Sequence, residues 1–118
     1  MGKIKYTSGQ IYLIFENDMI KDFYMRMLYR IDGEYLKAFS GLCIYKYEKE
    51  YVRSFYGKML YRFDGKTFYD YAGRMLNFIR GEFITDFYGR FLYRIDGTLS
   101  NTELAFFLTL LHEGDIKG

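Results

Sequence analysis

Proline and tryptophan are absent from this 118-residue chain, cysteine and histidine occur once each, and the net charge is only +2. Each scarcity excludes something. A single cysteine, Cys43, cannot close an internal disulfide, so the chain is not a disulfide scaffold and a reducing, cytoplasmic setting is the expectation. A single histidine, His112, offers no metal cluster by itself, and a catalytic triad needs partners that no spacing here supplies. Seventeen basic against fifteen acidic residues disfavour an electrostatic nucleic-acid binder. No apolar run approaches the ~20 residues of a membrane helix. The start, Met1-Gly2-Lys3-Ile4-Lys5-Tyr6, lacks the apolar stretch of a secretory signal. No glycine-rich phosphate loop, CxxC, HExxH or GxSxG occurs. The expectation is a chain that is not an enzyme, with no cofactor, no metal and no membrane association.

What is abundant is aromatic surface and internal repetition. Tyrosine and phenylalanine number 14 and 12, and half of the chain is apolar, enough for a folded core. Cut at Ile4, Ile20, Leu36, Val52, Phe68 and Ile84, the chain yields six gapless blocks of sixteen residues. The second, fourth and sixth are the most alike, so a 32-residue alternation overlies the shorter period. Sixteen residues are too few for a helical repeat but fit two short strands and two tight turns. Glycine marks both turns, at Gly9, Gly41, Gly57, Gly73 and Gly89 and again at Gly33, Gly65, Gly81 and Gly97. Asp-Gly recurs at Asp32, Asp64 and Asp96, a strong hairpin signal because glycine accepts positive φ. Met25 and Lys49 stand where glycine is expected, so those turns are strained or of another type.

Charge pairing selects a register. If both loops hold three residues ending in a glycine bulge, Arg30 faces Glu34, Arg74 faces Asp70 and Arg90 faces Asp86, with Leu28 opposite Leu36. Such cross-strand pairs contribute about 0.2–1 kcal/mol each. That register places an aliphatic stripe, Ile20, Leu28, Leu36, Ile44, Val52, Leu60, Phe68, Leu76, Ile84 and Leu92, on one face. It places Tyr29, Tyr45, Tyr61 and Tyr93 on the other. A sheet apolar on both faces must cover at least one of them.

The repeats end at Ser100. Ser100-Asn101-Thr102-Glu103 has capping-box spacing. Leu104, Phe107, Leu108 and Leu111 follow at helical intervals, widened by Phe106 and Leu110, and Gly114 is a natural stop. A helix apolar nearly all round must be buried. The expected architecture is all-β: an antiparallel meander of tandem β-hairpins with about 10–12 short strands, and one C-terminal α-helix packed on or inside the curled sheet. Residues 1–118 read as one domain, with six hairpin blocks over 4–99 and the helix over 100–113. A solenoid with one coil per block would stack like charges at every level, which disfavours it.

The block Phe-Tyr-Gly-Arg/Lys-x-Leu-Tyr-Arg-x-Asp-Gly resembles the short tandem β-hairpin repeats of uncharacterised bacterial proteins, some of which end in a small hydrophobic helix. The likeness runs from residue 4 to about residue 113. Tyr69-Asp70-Tyr71-Ala72-Gly73-Arg74 is similar to the signature of bacterial YD repeats, which implies a β-meander and transfers no catalytic residue.

The tyrosines carry the functional expectations. Tyr24, Tyr56 and Tyr88 sit in turns, recur every 32 residues and are expected along one edge, as a contact strip. Tyr29, Tyr45, Tyr61 and Tyr93 are readable as a ladder that stacks sugars or bases, although packing between strands selects tyrosine equally well. Arginines interleaved with these rings suit single-stranded nucleic acid, but Asp22, Asp70 and Asp86 interleave too and neutralise them. Cys43 occupies a position otherwise held by Ile11, Met27, Met59, Met75 and Phe91, as a packing thiol does. The function expected is a non-enzymatic binding or scaffolding module. Its partner is a protein or another copy of the chain, met through aromatic surface that the helix leaves bare. A carbohydrate-binding module with tyrosine platforms is the alternative.

Overall fold

The computed structural model describes residues 1–116. Among these residues twelve strands and one helix follow in order: β1 (Gly2–Tyr6), β2 (Ile11–Glu16), β3 (Met19–Lys21), β4 (Met27–Asp32), β5 (Tyr35–Ala38), β6 (Cys43–Glu48), β7 (Tyr51–Ser54), β8 (Met59–Phe63), β9 (Thr67–Asp70), β10 (Met75–Arg80), β11 (Phe83–Asp86), β12 (Phe91–Gly97) and α1 (Asn101–Glu113). Every strand pairs antiparallel with its neighbour in sequence, and β12 returns to β1, closing a barrel. The all-β hairpin meander with one helix is the observed fold. Closure leaves no unpaired edge. At the seam Gly2 faces Gly97 and Ile4 faces Ile95. A Cβ on Gly97 would lie 2.9 Å from the Met1 carbonyl oxygen, and one on Gly2 would lie 2.8 Å from Leu99 Cδ2. Only glycine lets the first and last strands approach this closely.

The two ends of the barrel use different turns. At one end the loops hold three residues, as expected: Thr7-Ser8-Gly9, Phe23-Tyr24-Met25, Phe39-Ser40-Gly41, Phe55-Tyr56-Gly57, Tyr71-Ala72-Gly73 and Phe87-Tyr88-Gly89. The third residue is left-handed in each, at φ between 84° and 95° for glycine and 67° for Met25. Asp22 N–H donates to the Arg26 carbonyl and Met25 N–H to the Asp22 carbonyl, both at 3.0 Å.

The Asp-Gly end departs from the expectation. Its loops hold two residues, with the aspartate outside the loop. Asp32 pairs with Tyr35, Ile31 with Leu36 and Arg30 with Lys37, not with Glu34. A two-residue loop follows the natural twist of the strands when its first residue takes positive φ, and Gly33, at 61°, supplies that. The charges still meet, but diagonally, since Lys37 Nζ reaches Asp32 Oδ2 at 2.8 Å. Asn17-Asp18 and Lys49-Glu50 hold both loop residues at positive φ. Lys49 therefore sits in a conformation that costs a non-glycine residue about 1 kcal/mol.

A bulge next to each three-residue loop re-aims the side chains. The register slips once in every pair joined by those loops, leaving Tyr12, Leu28, Ile44, Leu60, Leu76 and Leu92 as the extra residues. A bulge bends its strand and raises the local twist. Six at one end curl the sheet into closure. The same slip overturns the expected faces. Ile20 faces Tyr29, Leu36 faces Tyr45, Val52 faces Tyr61 and Ile84 faces Tyr93, so these tyrosines share the inward face with the aliphatic residues. The bulged leucines are only partly buried, because one extra residue resets a period of two.

The helix occupies the lumen. Residues 104–110 are all buried, with Phe106, Phe107, Leu108 and Leu110 wholly so. An eight-stranded barrel has room only for side chains, whereas twelve strands accommodate a helix 10–12 Å across. Ser100 Oγ accepts from Glu103 N–H at 3.1 Å, and Glu103 Oε1 accepts from Ser100 N–H at 2.8 Å. Thr109 Oγ1 donates to the Ala105 carbonyl at 2.7 Å, which satisfies its hydroxyl inside the apolar lumen. Asn101 lies against the Gly65 turn, so the helix enters at the two-residue turns and ends at the three-residue loops. There Tyr61 Oη donates to Glu113 Oε2 at 2.6 Å and Tyr45 Oη to Asp115 Oδ2 at 2.7 Å.

Candidate binding surface

The outer wall is studded with charges, paired as Lys5–Asp96, Lys21–Glu16, Arg62–Glu50 and Arg94–Glu82. Tyr35, Tyr51 and Phe91 are exposed on the strands, but most of the exposed aromatic side chains gather on five of the six three-residue loops. Tyr24 is 73% exposed, Tyr56 92% and Tyr88 79%, and Phe23, Phe39, Phe55, Tyr71 and Phe87 are exposed beside them. They point outward because both faces of the sheet end before the loop begins, so no neighbouring strand is left to pack on.

These loops are ordered from within. Asp22 Oδ1 accepts from the backbone N–H of Tyr24 and of Arg26 at 2.9 and 3.0 Å, while Oδ2 accepts from Arg26 Nε at 2.8 Å. Asp70 binds Ala72 and Arg74 in the same way, and Asp86 binds Tyr88 and Arg90. The Arg74 backbone N–H and guanidinium, outweighing partial desolvation, hold the Asp70 carboxyl below the usual carboxylate range. At Asp22 and Asp86 desolvation pushes upward, and the arginine hydrogen bonds overcome it to the same net effect. In the Phe55-Tyr56-Gly57 loop Ser54 Oγ takes the aspartate's place and accepts from Lys58 N–H at 3.2 Å. Each tyrosine ring meets its preceding phenylalanine edge-on at 5.3–5.4 Å. Arg26 and Arg90 lie over the rings of Tyr24 and Tyr88 at 5.5 and 5.6 Å. Rings fixed this way lose little freedom when a partner arrives.

The sequence-predicted strip is therefore a circle. Tyr24 follows β3, Tyr56 follows β7 and Tyr88 follows β11, four strands apart in a ring of twelve. The predicted ladder of Tyr29, Tyr45, Tyr61 and Tyr93 faces the lumen, where the rings pack against the strands and the helix instead of forming an open platform. Burial pushes the hydroxyls of Tyr45 and Tyr61 far above their ordinary range, reinforced by Asp115 and Glu113. Phe23, Phe39, Phe55, Tyr71 and Phe87 are missing from the prediction. Their signal was available: the first loop position is aromatic in five of the six blocks.

Between the loops the mouth is grooved. A groove of about 560 Å³ lies beside Tyr6 and Gln10, which flank the Ser8 loop, and is lined by Tyr12, Phe23, Tyr24 and Asp115. One of about 450 Å³ lies at Phe39 and Ser40, with Leu28, Tyr29 and Asp115. One of about 420 Å³ lies at Asp70, Tyr71 and Arg74, with Tyr61, His112 and Glu113. Behind the last, buried Asn77 Nδ2 donates to the Thr85 carbonyl at 3.0 Å, so Asn77 Oδ1 is turned to accept from His112 Nε2 at 2.6 Å. Desolvation lowers the His112 pKa, against the opposing pull of Glu113, and the ring stacks on Phe68. Cys43 is half-buried and lines a different groove, with Tyr35, Lys46 and Arg53. Among the described residues no group of histidine, cysteine and carboxylates is placed to hold a metal, and no helix is long and apolar enough to cross a membrane.

No family model, no curated protein and no solved structure matches the chain. Geometry alone carries the functional reading.

Proposed function

We propose that the chain is a non-enzymatic binding module that captures a protein partner on its crown of loop aromatics. The observation that supports this is the amount of apolar surface on an ordered frame. Eight loop rings are 50–92% exposed; at about 200 Å² per aromatic side chain they present about 1,100 Å². The largest apolar patch on a typical monomer is about 300–600 Å². A specific interface needs about 800 Å² from each partner, with aromatic and arginine residues enriched at its centre. The crown supplies all three, whereas the exposed rings of the outer wall, Tyr35, Tyr51 and Phe91, are scattered among its charges.

The test is site-specific photo-crosslinking in the native cell. A benzophenone amino acid replaces Tyr56 on the crown or Lys49 at the opposite end, and adducts are identified by mass spectrometry. Protein adducts from position 56 and none from position 49 are expected. Equal labelling at both ends, or adducts to glycans alone, refutes the reading.

A further inference from the structure

We infer that the crown is self-complementary and that its partner is a second copy of this chain, docked mouth to mouth about a two-fold axis. This deepens the proposed binding role and rests on it. The second position of the six loops reads, around the barrel, Ser8, Tyr24, Ser40, Tyr56, Ala72 and Tyr88. Large and small residues alternate at this position, so three tyrosine knobs stand about 120° apart with three gaps between them, two of the gaps flanked by the exposed rings of Phe39 and Tyr71. Three mouth grooves open at or beside the gaps: one between the Ser8 and Tyr24 loops, lined by Tyr24 and Arg26, one at Phe39 and Ser40, and one at Asp70, Tyr71 and Arg74 that also takes in Lys58.

An alternating ring of this kind fits its own copy. Place a two-fold axis across the mouth, midway between a knob and the next gap. The rotation then carries all three knobs of one copy onto gaps of the other, and the reverse, so six seats fill at once. That is the isologous arrangement of a closed dimer. Burying three-quarters of the crown's aromatic surface in each copy reaches the ~1,600 Å² of a standard interface.

Charge agrees with shape. Each knob carries a cation two residues after its tyrosine: Arg26, Lys58 or Arg90. Each groove carries a helix-end carboxylate, Asp115 in two of them and Glu113 in the third. Among the described residues neither carboxylate has a lysine or arginine at ion-pair distance; each is held by a tyrosine hydroxyl alone. Lys58 likewise has no carboxylate partner among the described residues, whereas Arg26 and Arg90 are already bound to their own aspartates. Docking brings Lys58 of one copy to an unneutralised carboxylate of the other.

Sedimentation equilibrium from 1 µM to 1 mM tests this with three proteins, each checked for its fold by circular dichroism. The unmodified chain is expected at twice its monomer mass. Tyr24→Ser/Tyr56→Ser/Tyr88→Ser, which blunts the knobs, is expected to weaken the dimer at least 100-fold. Ser40→Tyr/Ala72→Tyr fills two gaps; it adds aromatic surface and is nevertheless expected to weaken the dimer at least tenfold. General stickiness predicts the opposite for that variant. A strict monomer at 1 mM overturns the inference, as does a gap-filled variant that associates as tightly as the parent or more tightly. Crosslinking from position 56 then separates the two levels. Adducts only to a different protein leave the binding role standing without the dimer, and no protein adduct removes both.

Discussion

Replacing Phe107 by aspartate tests the placement of the helix, on which the closed barrel depends. Phe107 is fully buried, and the rings of Tyr12 and Tyr93 meet it edge-on at 6.0 and 5.4 Å. Losing the ring alone costs about 3–5 kcal/mol by analogy with Phe→Ala in packed cores. Holding a carboxyl group in an apolar lumen without a partner adds several kcal/mol, whether it stays charged or takes up a proton. Domains of this size are stable by about 5–15 kcal/mol, so the sum consumes most or all of the stability. Phe107→Leu keeps most of the volume and costs about 1 kcal/mol, near 4–6 °C in melting temperature. Thermal melts followed by far-UV and tyrosine near-UV circular dichroism are the assay. The leucine variant is expected to melt cooperatively a few degrees early, and the aspartate variant to show no cooperative melt. An aspartate variant that melts within 3 °C of the parent would mean that this face of the helix is open to water and the barrel is not filled as described.

Two further outcomes follow from local geometry. Lys49→Gly relieves a left-handed residue in a two-residue turn and is expected to raise stability by about 1 kcal/mol, read from urea midpoints at unchanged slope; a loss of stability would mean the turn is not strained. His112 binds its proton more weakly folded than unfolded, so the unfolded chain holds more protons between the lowered folded value and the ordinary value of 6.5, and stability falls as pH drops through that window. The paired aspartates titrate below 3.8 and act only at lower pH. Stability of the parent should therefore decline between pH 7 and 5, and His112→Gln, which can still donate to Asn77, should flatten that decline; an unchanged slope in the variant assigns it elsewhere.

The parts that were legible in the sequence are those where one residue type answers one local demand. Phe-Tyr-Gly followed by a basic residue specifies a three-residue loop, because glycine supplies the left-handed third position and the flanking aspartate caps the backbone and binds the arginine. The all-round apolarity of α1 demanded burial, and a strand count near twelve made room for it. Asp-Gly was ambiguous because aspartate fits before the loop as well as within it. Scoring by facing charges then preferred Arg30 with Glu34, whereas the observed register sets Arg30 opposite Lys37 and pairs Lys37 diagonally with Asp32. The bulges left no mark, since Leu28, Leu60 and Leu92 are as apolar as core residues, yet one extra residue sends Tyr29, Tyr61 and Tyr93 inward. For the surface, recurrence every 32 residues picked out Tyr24, Tyr56 and Tyr88. The aromatics just before them resemble strand core, and only the loop geometry turns them out.

The contrast between the inside and the rim of the barrel bears on what the tyrosines are for. Inside, the blocks diverge where they meet the one helix: Asn77 stands where Tyr45, Tyr61 and Tyr93 stand in other blocks, and it turns its amide to His112. A single helix offers a different side chain to each strand, so packing forces the lumen away from strict repetition. The rim is under no such constraint. Ser8, Ser40 and Ala72 close the same three-residue loop, with the same left-handed third residue, as Tyr24, Tyr56 and Tyr88 do, so the fold does not require tyrosine there. Exposing those rings brings folding no hydrophobic gain, because apolar area left in water contributes nothing to folding. A large exposed ring that the loop does not need, held rigid by its own phenylalanine and repeated three times around a ring, is the feature on which the proposed contact outside the chain rests.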